Sequence, residues 1–394
     1  MTKVAIVAGG GIAGTVAALA LQRAGWTPLI HEAHARDDGE AGAFVTVALN
    51  GLEALRALDL DPVRLLAAGL ATPAMALRNS AGKVLAELPL GGPSADGLST
   101  TTIRRADLYR SLRAEAERRG IAIAYGKRLT AAHERDGGVT AEFADGSTAT
   151  GDLLVGADGL HSRTRKALDP HAPAPRYLGL LNAGGFTAGP ADSGAMRPGV
   201  MQMAFGRRAF FGWVGAPDGS VWWFANPPAK QPVAPGEWTP AAWKAHLLDL
   251  FAGDAIPAAA LIAASDEVVG PWSTWDFPRV PVWHDDRMVL VGDAAHAVSP
   301  SSGQGVSMAI EDAVVLGRCL ATIPAVPAAL TEYERRRRGR VERVVAYGRR
   351  SGSTKTAGPV GAVLRDALTP LFLRLLYRKG NPQAWILDHR VDAA

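Results

Sequence analysis

The residue pattern best suited to holding a phosphorylated ligand lies at the start of the chain. Gly9-Gly10-Gly11-Ile12-Ala13-Gly14 fits G-x-G-x-x-G. In that pattern the first glycine permits a tight turn, the second lets a pyrophosphate approach the backbone, and the third lets a helix pack closely on a strand. Amides at the helix start then meet the phosphate charge. Glu32 follows Gly14 by eighteen residues, where a carboxylate can accept hydrogen bonds from ribose hydroxyls. Three glycines alone would mark only a turn. Here they follow an apolar run over 4–8, open a helical pattern over 12–24 and lead to a second strand over 27–32. That β-α-β context favours a dinucleotide held by Gly9, Gly11, Ile12, Ala13, Gly14 and Glu32. It does not separate FAD from NAD.

Two further acidic groups end strand-like runs in the same way. The run over 152–156 leads into Ala157-Asp158-Gly159-Leu160-His161-Ser162, and the run over 287–292 into Asp293-Ala294-Ala295-His296. Pro300, Gly303-Gln304-Gly305 and Glu311-Asp312-Ala313 follow the second. Three strands can therefore bring their carboxyl ends to one ligand, as doubly wound sheets do.

These motifs in this order resemble the para-hydroxybenzoate-hydroxylase-like (class A) family of FAD-dependent monooxygenases. Arg105 in Ile-Arg-Arg-Ala-Asp-Leu, Arg165 and the tryptophan-rich stretch from Trp272 to Trp283 extend the resemblance. It implies non-covalent FAD, with Asp293 against the ribityl hydroxyls, Arg105 helping to hold the cofactor and Asp158 positioning the loop near flavin and nicotinamide. Pro300 would stiffen the loop, while Gly303, Gln304 and Gly305 bring backbone close to the isoalloxazine. A helix from about Val306 to Leu320 would aim its amino end at the ring's N1/O2 edge, worth about 0.3–2 kcal/mol for an anion. Where the family often has Asn, this chain has Ser307, whose hydroxyl can still donate.

The implied chemistry is NAD(P)H-dependent reduction of FAD, reaction with O2 and oxygen delivery from a C4a-hydroperoxide to an aromatic or electron-rich small molecule. Natural-product tailoring and xenobiotic modification are typical settings. The family lacks a second dinucleotide-binding domain, and only one well-placed G-x-G-x-x-G is present here. No side chain is an obvious acid or base. Epoxidation, Baeyer–Villiger insertion, cyclisation and oxidation without oxygen transfer stand as related alternatives. A flavin-dependent redox sensor is an alternative of another class. The Trp-x-Trp-x-Ile-Pro segment of halogenases is absent.

The expected fold is α/β: a Rossmann-like FAD-binding domain with an inserted, mostly antiparallel β-sheet substrate domain and C-terminal helices. Short strand-like pieces punctuated by Pro and Gly place the inserted domain at 73–100 and 171–270. The FAD-binding domain then takes 1–72, 101–170 and 271–328, and 329–394 reads as helical, broken near Gly358-Pro359 and between Gly380 and Pro382. Alternating Met201, Met203, Phe205, Phe211, Trp213, Trp223 and Phe224 fit either a flat apolar pocket or the sheet's own core. Met201, Met203 and Trp213 are the candidate substrate contacts.

Composition narrows the classes further. The 394 residues, 48% hydrophobic and 20% charged, fit a globular chain long enough for two domains. A net charge of +4 gives no argument for nucleic acid. The basic run Arg335 to Arg338, with Arg340 and Arg343, reads as a solvated helix face paired with nearby glutamates. His31, His34, Asp37 and Asp38 read as solvated residues rather than metal ligands. His296, Asp293 and Ser299 imitate a hydrolase triad without a G-x-S-x-G elbow. The one cysteine, Cys319, reads as core. Neither a signal segment nor a run of about 18 apolar residues is visible, so the expected location is cytoplasmic, without membrane contact. Oligomeric state and substrate identity are left open by the sequence.

Overall fold

The run Val4–Ala8 forms the middle of a five-stranded sheet, ordered Met288–Leu290, Leu153–Gly156, Val4–Ala8, Thr27–His31 and Ala122–Ala124. All four pairings are parallel, so the three motif-bearing strands end on the same edge. In this computed structural model the described residues are all but 1–2, 37–41, 136, 189–196, 235, 354, 356–358, 379 and 392–394.

Strands buried on both faces need cover, and here it comes from two kinds of layer. On one side, helix Ile12–Arg23 packs against helix Gly305–Thr322. Their backbones approach so closely at Gly317 that an added Cβ would stand 3.0 Å from Ala20 Cβ. Leu19, Leu21, Val291, Val314 and Leu316 are sealed in this core, and Cys319 is a buried member of it. On the other side, an antiparallel sheet of Leu129–Arg135, Gly138–Phe143 and Thr148–Gly151 covers Ile6, Ala8 and Leu154.

A seven-stranded sheet draws on 74–89 and 176–276. Its pairings are antiparallel except between Val200–Phe205 and Ala74–Asn79. Successive side chains alternate between its faces. Phe211, Trp213 and Trp223 face helices Pro240–Phe251 and Ala258–Ala264, burying against Trp243, Leu247 and Leu261. Met201, Met203, Trp222 and Phe224 lie on the opposite face, grouped with Phe44 of strand Phe44–Val47.

Among the described residues, helices Val326–Ser353, Pro359–Tyr377 and Ala384–Leu387 follow in the C-terminal part. Gly358, half of the expected break, lies outside the described residues. No helix among the described residues is long and apolar enough to cross a membrane.

Candidate active site

The glycine turn owes its shape to backbone crowding. Gly9 has φ of 106°, a conformation that favours glycine, and an added Cβ would stand 2.5 Å from the Ala157 carbonyl oxygen. At Gly14 a Cβ would overlap the Gly9 carbonyl oxygen and reach 3.1 Å from Ala157 Cβ. Gly11 is different: its space is open, with only the Tyr109 ring at 3.8 Å. Gly9 and Gly14 therefore make the turn, while Gly11 leaves room for a ligand. Ile12 is buried behind it, and Ala13 packs against Gly292.

Glu32 closes the turn from the next strand. Its Oε2 accepts from Gly10 N at 2.7 Å, and its Oε1 accepts from His34 N at 2.9 Å and meets His34 Nδ1 at 2.8 Å. Burial favours the neutral acid, but these hydrogen bonds outweigh it and hold the carboxyl below its ordinary value. Of the two histidines, His34 is exposed as the solvated reading expects, and His31 departs from it. His31 is buried and stacks on Phe143 at 4.6 Å, and burial lowers its pKa. His34 partners Glu32, while Asp37 and Asp38 lie outside the described residues. Among the described residues, no group of three or more His, Cys, Asp or Glu could hold a metal.

A cavity of about 650 Å³ opens at the carboxyl edge, lined by Gly9, Gly11, Glu32, Arg105, Asp158 and Arg163 among others. Arg105 donates to the Tyr109 hydroxyl from Nε at 3.0 Å and from a terminal nitrogen at 2.7 Å. Arg113 donates to Gly10 O at 3.2 Å and lies over the Tyr109 ring. Sequence reasoning missed Tyr109 and Arg113. Their spacing from Arg105 by four and eight residues on helix Arg105–Arg118 is the signal that puts all three on one face.

Asp158 is spent locally. Its carboxylate accepts from Ser162 Oγ at 2.5 Å, Arg163 N at 2.7 Å and Thr164 N at 3.0 Å, so it fixes the start of helix Arg163–Leu168. Buried Arg165 then ties two motif loops together, donating to Leu160 O at 2.7 Å and Ala294 O at 2.9 Å.

Asp293 is exposed at the end of the third motif strand, after Gly292 at φ of 59°. Pro300 is exposed and begins a single 3-10 turn, Gly303 takes the left-handed conformation, and helix Gly305–Thr322 starts with no side-chain cap. Its first amides, at Gly305 and Val306, are those left for an anion. Gln304 is buried, its Oε1 accepting from Asn50 at 3.1 Å. Ser307 is fully buried, and its hydroxyl accepts from Ala48 N at 3.0 Å.

Behind this loop lies a charged network that the sequence did not reveal. His296 meets Asp312 at 2.5 Å, and Asp312 also accepts from Gly292 N at 2.9 Å and Arg337 Nε at 2.7 Å. Glu311 accepts from Arg337 at 2.6 Å, Arg340 at 2.8 Å and Asn50 at 2.7 Å. Burial opposes every charge here, but mutual attraction prevails: both carboxyls titrate low and Arg337 high. His296 is thus bonded to Asp312, not arranged with Asp293 and Ser299 for hydrolysis. The solvated-face reading holds for Arg335 and Arg336, which pair with Glu332. It fails for Arg337, which is 1% exposed, for Arg340, which pairs with buried Glu311, and for Arg338, which is largely covered and donates to Val280 O as well as Glu334.

Of the candidate substrate contacts, Met201 and Met203 lie on the face turned to Phe44, whereas Trp213 is 1% exposed in the core under the helices. Trp213 is a packing residue, because its position in the strand points it to the helix-covered face.

An uncrowded Gly11, an exposed Asp293, an uncapped helix and basic side chains at one edge fit a cofactor that is part pyrophosphate and part flat ring. The family model described as FAD binding domain matches residues 1–347. The aurachin C monooxygenase/isomerase of Stigmatella aurantiaca is 34% identical over 353 residues, 88% of each chain. The FAD-dependent urate hydroxylase of Klebsiella pneumoniae is 33% identical over 353 residues, also 88% of each. The crystal structure of Klebsiella pneumoniae HpxO with FAD and uric acid superposes with a TM-score of 0.83 at 28% identity, covering 95% of both chains. The chain belongs to the class A family of FAD-dependent monooxygenases.

Proposed function

We propose that the protein uses NAD(P)H and O2 to place one oxygen atom on a planar aromatic or otherwise electron-rich small molecule. The observation that carries this reading is the convergence of Gly11, Asp293 and the uncapped start of helix Gly305–Thr322 at one sheet edge, beside an aromatic sheet face. FAD bound there would supply the redox chemistry, hydride acceptance from NAD(P)H and activation of O2, with one oxygen atom going to the substrate and the other to water.

The chain's own residues bind and position. Gly9, Gly11, Ile12, Ala13 and Gly14 form the pyrophosphate turn, with Glu32 toward the adenosine ribose and Arg105 beside the phosphates. Asp158 holds the neighbouring loop, and Asp293 takes the ribityl hydroxyls. Pro300, Gly303, Gln304, Gly305 and Val306 would present backbone to the ring, and the helix start would favour negative charge there. Met201 and Met203, on the face shared with Phe44, Phe186, Trp222 and Phe224, contribute to an apolar substrate wall that excludes water.

The test is the visible spectrum of the purified protein before and after NADPH is added without oxygen. A flavin spectrum that bleaches, and returns in air, supports the reading; small molecules that accelerate bleaching identify substrates. A protein that stays colourless with added FAD would sink it, and NADPH oxidation unaffected by any small molecule would favour a redox sensor. Asp293→Ala is expected to weaken FAD binding by roughly 10–100-fold, the worth of hydrogen bonds to a charged group, in a titration of the apoprotein. Unchanged affinity would remove Asp293 from the ribityl contact.

A further inference from the structure

A lysine stands among aromatic rings on the sheet face turned to the cofactor-binding half. Lys355 Nζ donates to Asn226 Oδ1 at 2.6 Å and sits 4.3 Å from the centre of the Phe210 ring and 5.8 Å from that of Phe224. Asn226 follows Trp222 and Phe224 at the two-residue spacing that keeps side chains on one face, and those two rings pack on Phe44. No carboxylate pairs with Lys355 among the described residues. Burial pulls its pKa down to about 7, with no charged neighbour contributing.

The lysine ends a chain of buried polar side chains. Asn226 donates to Asn182 at 2.9 Å, and Asn182 donates to Thr274 Oγ1 at 2.8 Å. The amide orientations leave an oxygen, not an NH2, facing the lysine, so the chain is organised around a cation. Yet it gives that cation one acceptor for three N–H donors. Lys355 is only partly buried, yet its ammonium is turned to Asn226 and the aromatic rings and meets no carboxylate among the described residues.

The position also follows from the helix that delivers it. Val326–Ser353 runs along the loop expected to face the flavin ring: a Cβ on Gly348 would stand 3.1 Å from Ser302 Cβ, and one on Gly352 3.4 Å from Ser301 Oγ. Lys355 comes three residues after Gly352 and crosses from that loop to the sheet.

We infer that Lys355 is the receptor for an anionic group of the substrate, a carboxylate or ionised hydroxyl on a planar aromatic or heteroaromatic ring. This rests on the monooxygenase reading above. The ammonium's two remaining donors would take the anion, and the Phe210 and Phe224 rings would border the substrate ring. Asn226 and Asn182 are positioning residues that aim the lysine.

The experiment uses the FAD-loaded enzyme with three acids, salicylate, 4-hydroxybenzoate and 6-hydroxynicotinate, each beside its neutral amide. Binding is read from perturbation of the flavin spectrum. At least one acid is expected to bind the wild type. Lys355→Met should weaken that acid by about 10–100-fold, as loss of a charge-assisted contact does, and leave the amide unchanged; Lys355→Arg should recover part of the loss. The melting temperature of Lys355→Met should equal or exceed that of the wild type, since a poorly partnered, partly buried charge is removed. Equal weakening of acid and amide, unchanged acid binding, or a lower melting temperature with unchanged selectivity would overturn the assignment. A wild type that bleaches with NADPH but binds none of the acids overturns the anion receptor alone. A colourless wild type removes both readings.

Discussion

Arg337→Met is expected to destabilise the protein by about 3–5 kcal/mol, the usual consequence of removing one partner from a buried ion pair. The guanidinium bridges Glu311 and Asp312, both fully buried. Arg340 and Asn50 still serve Glu311 in the variant, and His296 and Gly292 N still serve Asp312. One carboxylate oxygen of Asp312, however, loses its only hydrogen bond among the described residues. Damage should spread to the loop over 292–304, because Asp312 holds Gly292 and Glu311 shares Asn50 with Gln304. Flavin release, followed by fluorescence during heating, should therefore come several degrees earlier. Adding Glu311→Gln and Asp312→Asn should restore part of the loss, since neutral amides bury more cheaply than unpaired charges.

The pH dependence supplies a second readout of the same variant. Both carboxyls titrate below their ordinary values in the fold. Groups of that kind contribute stability that is complete above the unfolded-state pKa and is lost as pH falls through the folded one. The difference between wild type and Arg337→Met should thus be full at neutral pH and narrow in acid. A constant difference across that range would mean that Arg337 acts by packing alone.

The parallel sheet and its motif loops were legible because local chemistry dictates them. An apolar strand, a glycine turn and a helix start constrain one another within a dozen residues, and Asp293 ends its strand as the first strand meets its glycines. The two-residue alternation in 200–205 also read correctly as strand, but alternation does not say which face is covered. Trp213 and Met203 lie on neighbouring strands, and only the register of Gln202 opposite Trp213 places the tryptophan under helices and the methionine on the other face.

The buried network was hidden for a different reason. Arg337 lies in a run of arginines with glutamates at helical spacing, which composition reads as solvated. Its neighbours Leu330, Tyr333, Val341 and Val344 are all buried and recur at three- and four-residue intervals around it. That stripe places Arg337 at a core position, a signal that charge counting overlooks. His31 misled likewise: it alternates with Leu29 in a strand, and its burial depends on Phe143, more than a hundred residues away.

Two of the motif glycines make separable predictions. Gly14→Ala places a methyl group on the Gly9 carbonyl oxygen, and the backbone there has no slack, since Gly9 N also donates to His31 O at 2.8 Å. Relief requires helix Ile12–Arg23 to shift from the sheet, against the closely packed Ala20–Gly317 contact. Gly14→Ala should therefore give low yield of folded protein and no retained flavin. Gly11→Ala meets only the edge of Tyr109 at 3.8 Å, and Gly11 caps helix Ile12–Arg23 with an extended backbone that alanine also adopts, at a capping cost below about 1 kcal/mol. Its apoprotein should melt at or near the wild-type temperature, while FAD affinity falls steeply because the methyl group occupies space that a pyrophosphate needs. The informative comparison is melting of the two apoproteins beside FAD titration. If Gly11→Ala binds FAD like the wild type, the phosphates do not lie against this turn and the cofactor's placement must be redrawn. Should it instead melt as low as Gly14→Ala, Gly11 belongs to the turn's construction, and the division between shaping and binding glycines fails.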